Sequence, residues 1–151
     1  MDAQKEYYDW IHRLRDALIK ELEEESGNRF ICDGELIEGA EKHSEAMMNH
    51  GEPYDAPRDL WKPAVSEMVD RRVACYRCRE EKDLAIKKEI EEMAVDFFHF
   101  EYHSFLRCLS AIMGAGIAVK ETPGQVIIYA TIRLTTARLK GVKIDSEESM
   151  A

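Results

Sequence analysis

The clear strand signal in this chain lies near its far end, after a series of helical segments, and it constrains the fold more than any other feature. Residues 114–121 and 125–135 are two β-rich runs joined through Thr122-Pro123-Gly124. Proline sets the first central position of a type II turn, and glycine supplies the positive φ that the second requires. A hairpin is therefore predicted there, and whatever precedes it must pack against that hairpin.

What precedes it reads mainly as helix. Tyr7, Trp10, Ile11, Leu14, Ala17, Leu18 and Leu22 recur at the spacing that lines one helical face, which predicts a helix over about 3–25. Ser26-Gly27-Asn28 closes it, because glycine and asparagine accept the left-handed conformation of a helix end. Glu21, Glu23, Glu24 and Glu25 read as a solvated face. Asp33 is placed to cap a second helix running to about Asn49, with Leu36, Ile37, Ala40, Ser44, Met47 and Met48 as its buried stripe. Gly51, Pro53 and Pro57 make 50–63 a loop or a set of single turns, the kind of segment that often carries binding residues. A third helix is predicted over about 80–98, with Leu84, Ile90, Met93, Ala94 and Phe97 inward. Residues 64–79 are ambiguous, since Val65, Met68, Val69, Val73 and Tyr76 fit a helical period better than an alternating one. The aromatic stretch 99–110 is expected to include another short helix. The chain therefore reads as one α+β domain over 1–140 with a polar, frayed tail over 141–151, its helices packed on a small antiparallel sheet.

Charge narrows the function classes. Acidic residues outnumber basic ones 30 to 21, a formal net charge of −9, so the mean field repels a nucleic acid. The one basic cluster, Arg71, Arg72, Arg77 and Arg79, is followed at once by acids. No secretory signal or run of about 20 apolar residues is read, so a cytoplasmic protein with reduced cysteines is expected.

Several short stretches together resemble the CAP superfamily (cysteine-rich secretory, antigen five and pathogenesis-related proteins). Ile11-His12-Arg13-Leu14-Arg15 is similar to its opening helix, with His12 at an Asn position and Arg15 at an Arg position. Residues 36–47, with His43-Ser44 ahead of Met47, resemble its second helix and are the most specific match. Ser66-Glu67-Met68-Val69 resembles the strand that supplies a family glutamate. Phe97 stands where a Trp often precedes a His by six positions, and that His falls on His103. Gly114-Ala115-Gly116-Ile117 and the run to Leu134 resemble the closing strands. The likeness spans about residues 7–135 and identifies the chain as an SCP-like domain of an intracellular, prokaryotic type.

The resemblance implies an α-β-α sandwich whose cleft is lined by two histidines and two acids, which hold a divalent metal in some members. Glu67 and His103 match two of these positions. Asp55 stands where the second histidine is expected, with His50 nearby, and Glu101 is the nearest candidate for the second acid. Imidazole and carboxylates suit Zn²⁺ or a harder divalent ion. The expectation is a binding module for a metal, a small ligand or a partner protein. A metal-dependent hydrolase using the same cleft is the alternative, and hydrogen bonding that merely pins the cleft is a third reading. His43 and Ser44 are implied to be structural. His99 and His103 share a helical face if 99–103 is helical, which suits chelation or packing. The aromatic run from Phe97 to Phe105 reads as core, or as a groove for lipid.

Cys75-Tyr76-Arg77-Cys78 is half of a zinc or redox motif. Zinc needs two further ligands, and Cys32 and Cys108 are remote in sequence. A thioredoxin-like use wants the pair at a strand-to-helix turn in a βαβ setting, which the reading of 64–79 does not provide. Ordinary reduced cysteines are expected.

Overall fold

The structure is a computed structural model that describes residues 2–61, 64, 66–99 and 112–135. The first helix, α1, spans Ala3–Ser26 and a two-residue strand, β1, spans Ile31–Cys32. The helix α2 follows over Gly34–His50, and a single 3₁₀ turn covers Arg58–Leu60. Strand β2 is Ser66–Cys75, helix α3 is Arg79–Phe98, and the closing strands are β3, Ile112–Thr122, and β4, Gln125–Thr135. The predicted tail 141–151 and most of the expected short helix over 99–110 lie outside the described residues.

The predicted helix ends are where local chemistry puts them. Asp2 and Asp33 accept the backbone N–H of Gln4 and Leu36, capping α1 and α2. Gly27 and Gly51 close these helices at φ 74° and 93°, each donating its N–H back to the last turn. Leu84, expected inward on α3, is exposed, and Ile86 takes the buried position.

The four strands lie in the order β1-β3-β4-β2, with β2, β4 and β3 antiparallel. One feature differs from the sequence reading, and a second resolves what it left open between helix and strand. The sheet is mixed, because β1 pairs in parallel with β3 through Ile31 opposite Ile112 and Cys32 opposite Met113. A two-residue strand is too short to leave a periodic signal. Residues 66–75 are strand, not helix, and pair with β4 along their whole length. Met68 faces one helical layer while its neighbours Glu67 and Val69 face the other. On this edge strand the α3 side carries the ion-paired Asp70 and Arg72 while Val69 and Val73 lie half-buried on the other, so polarity does not alternate and the apolar residues mimic a helical period.

Helices cover both faces, giving the α-β-α sandwich. Met68, Ile128, Ile132, Ala115 and Ile117 pack against Ile11, Leu18 and Leu22 of α1 and Ile90, Met93 and Phe97 of α3. Arg72 bridges Asp70 and Asp96, tying β2 to α3. The other face carries α2, which lies directly on β3. A Cβ at Gly114 would stand 2.2 Å from the Leu36 carbonyl carbon, and one at Gly116 would stand 2.2 Å from the Glu41 nitrogen. Only glycine permits so close an approach. Tyr7 of α1 reaches the margin of β3, where its hydroxyl accepts from the Val119 N–H at 3.1 Å and donates to the Val119 carbonyl at 3.2 Å.

β2 and β3 are each antiparallel to β4, so they point the same way with β4 between them. With α3 connecting them they form a split βαβ unit. Cys75 is the last residue of β2 and Cys78 the N-cap of α3. The cysteine pair thus does occupy a strand-to-helix corner. The sequence reading did not place it there because it left 64–79 open between helix and strand.

Candidate functional site

Glu67 is the second residue of β2 and stands opposite Arg133 of β4, so register alone brings the two side chains together on the α2 face. The Arg133 Nε donates to Glu67 Oε2 at 2.9 Å, and both residues are at least nine-tenths buried. A buried charge is retained only when paired and fully hydrogen-bonded. Glu67 meets that condition by also accepting the Ala56 N–H on Oε1 at 2.8 Å. Arg133 meets it by donating from Nη1 to the Leu60 carbonyl at 3.0 Å. Gly39 makes room for this guanidinium, since a Cβ there would stand 2.5 Å from Nη1.

Segment 51–61 is drawn onto the sheet by these bonds. His43 Nε2 lies 2.7 Å from the Tyr54 carbonyl and 4.0 Å from Glu67 Oε1, and Trp61 donates from Nε1 to the Ala56 carbonyl. The Tyr54 ring stands edge-on to His43 and to His50, with centroids 5.0 and 5.2 Å away. Beneath them Ser44 donates to the Gly116 carbonyl at 2.8 Å and lies 2.9 Å from the Thr131 hydroxyl. His43 and Ser44 therefore hold backbone, the structural role the sequence reading gave them. His12 and Arg15 both reach Glu41, at 3.0 and 3.6 Å, and tie α1 to α2.

Between α2 and segment 51–61 lies a cleft of about 340 Å³, bounded by Gly39, Lys42, His43, Tyr54, Leu60 and Arg133. Lys42 sits at the rim in an exposed pair with Glu38 at 3.1 Å. Such exposed pairs contribute little and exchange readily. Lys42 is thus available to an anionic group entering the cleft.

Of the sequence-derived metal set, Glu67 forms the buried floor, while Asp55 is exposed, one position before the amide that Glu67 holds. Glu101 and His103 lie outside the described residues. Among the described residues no three His, Cys, Asp or Glu side chains converge as a metal would require. A cation approaching Glu67 would compete with Arg133 for its charge. The sequence reading missed Arg133 and Gly39. Arg133 did leave a signal, since it is the single charged residue in the run 125–135 and a buried charge needs a partner.

The aromatic run is split by its placement. Met93, Phe97 and Phe98 are packed in the core, and 100–105 lies outside the described residues. No described helix is long and apolar enough to cross a membrane. Comparison with protein-family models and with curated proteins finds no match for this chain.

Proposed function

We propose that the chain is a CAP-like binding module, and that the cleft between α2 and segment 51–61 takes a small polar ligand. One observation carries this reading: a buried ion pair, Glu67 with Arg133, fixes both the floor of the cleft and the segment 51–61 that forms its wall. Buried pairs of this kind contribute little net stability, and their best-attested use is to specify one arrangement. Here the arrangement specified is the shape of a recess with Lys42 at its rim and His43 in its wall. Support for the CAP-like scaffold comes from the sequence resemblance and from the backbone-holding roles of His43 and Ser44 on α2.

A small carboxylate suits the recess better than a bare cation. Lys42 can trade its exposed partner for the ligand, whereas a metal must take Glu67 from Arg133. The test is an NMR titration of ¹⁵N-labelled protein with acetate and succinate, and separately with Zn²⁺. Saturable shifts confined to Lys42, His43, Tyr54 and Leu60 with a carboxylate, weakened at least fivefold in Lys42→Ala, are the expected result. Zinc shifts abolished by His103→Ala would instead move the site to the metal set of Asp55, Glu67, Glu101 and His103. Absence of cleft shifts with all three probes overturns the ligand reading.

A further inference from the structure

We infer that Cys75 and Cys78 form a reversible dithiol–disulfide site that exchanges with low-molecular-weight disulfides of the glutathione class. The site is separate from the cleft, and its placement is the first argument. Cys75 ends β2 and Cys78 is the N-cap of α3, at the first corner of a split βαβ unit. Both thiols are free and exposed. An attacking disulfide reaches them without opening the core.

The second argument is the choice of residue. An N-cap is normally Ser, Thr, Asp or Asn, whose oxygen satisfies a first-turn amide, and losing such a cap destabilises the helix. The helices α1 and α2 follow that rule with Asp2 and Asp33. α3 does not, since Cys78 makes no side-chain cap bond. The corner is held by other groups. Tyr76 donates its N–H to the Gly124 carbonyl at 3.1 Å, Arg77 donates to Glu81 Oε1 at 3.1 Å, and Glu81 donates to the Cys78 carbonyl at 3.0 Å. The Cys78 sulfur is left out of this scheme. Cys75 Sγ has one weak neighbour, Gln125 Nε2 at 3.9 Å.

Reach is the third argument. Two intervening residues limit the Cα separation to roughly 10 Å even when extended, and the chain bends at 77–78. A disulfide needs about 4.4–6.8 Å between Cα atoms, a span within reach of a bent link of two intervening residues. The chemistry balances in two exchanges. One protein thiolate attacks the small disulfide, forming a mixed disulfide and expelling one small thiolate. The second protein thiolate then attacks the protein-side sulfur and expels the other. Two protein thiols are oxidised, one small disulfide is reduced to two thiols, and the two thiol protons end on those products.

The test uses the full chain, equilibrated in mixtures of reduced and oxidised glutathione, quenched in acid, alkylated and mapped after trypsin. Cleavage after Arg72, Arg77 and Arg79 separates the cysteines onto segments 73–77 and 78–79. Expected is a disulfide joining these two segments, formed at glutathione ratios that leave Cys32 alkylated. Recovery of Cys75 and Cys78 as separately alkylated or separately glutathionylated residues at every ratio overturns the proposal. Cys75→Ser supplies an independent check, because it leaves Cys78 without the partner thiol that would displace an adduct. The glutathione adduct on Cys78 should then accumulate at least tenfold over its level in the parent protein. Equal adduct levels in the two proteins would also overturn it.

Discussion

Glu67 and Arg133 depend on each other as the two halves of one buried ion pair. Each is buried and charged, and each also holds one point of segment 51–61. Removing one partner strands the other. Glu67→Gln should therefore lower stability by about 3 kcal/mol, read as a shift of the urea midpoint with little change in m. Replacing both residues by methionine should recover most of that loss, because no orphan charge remains. The same double variant should bind carboxylates poorly, since the wall loses its anchors. The sequence made half of this pair legible. Glu67 came through a resemblance, whereas the partner required strand register, and register between 67 and 133 is set by a segment whose pattern leaves helix and strand open. Gly39 carried no signal at all, because a glycine in a helix says nothing of the guanidinium that it admits.

Among the elements, α2 and β3 are fitted to each other through backbone. Gly114→Ala puts a methyl group against the main chain of Leu36 and Ile37, which cannot rotate away. The helix must lift from the sheet, and a loss of at least about 3 kcal/mol is expected in chemical denaturation, at the upper end for overpacking. Gly34→Ala, in the first turn of the same helix, meets nothing within 4 Å and should be neutral or stabilise by up to about 1 kcal/mol. The contrast separates contact from helix propensity. The helices and the hairpin were readable because each is long, periodic and bounded by residues with a stated backbone role: Asp33, Gly27, and Pro123 with Gly124. The strand β2 stayed open between helix and strand, since it is an edge strand whose charged residues Asp70 and Arg72 face α3 while Val69 and Val73 lie half-buried on the other side. β1 was not readable, since two residues have no period.

At the scale of the whole molecule, α1 is tied to the sheet by one phenol as well as by its apolar stripe. Burial raises the Tyr7 pKa above its ordinary 10.0, against the lowering effect of the Val119 bond and with the Glu45 carboxylate adding to the rise. The folded state therefore holds this proton more tightly than the unfolded chain does. That contribution is complete below the unfolded value and is lost as pH rises through the folded one. Tyr7→Phe should cost about 1 kcal/mol near neutrality for the two bonds to Val119. It should also flatten the alkaline arm of the stability profile above pH 10.0, where the parent loses stability more steeply. Thermal melts of both proteins across that range decide the point.

Strand β2 has a further consequence. Glu67 stands near one end and Cys75 at the other, eight residues on, with both side chains on the α2 face of the sheet. At about 3.4 Å per residue the strand separates them by roughly 27 Å. A reporter group attached at the cysteine corner would leave the recess unobstructed. Any signal it gave on ligand addition would have travelled the length of one strand, so the molecule comes with a built-in ruler for asking whether its two ends communicate.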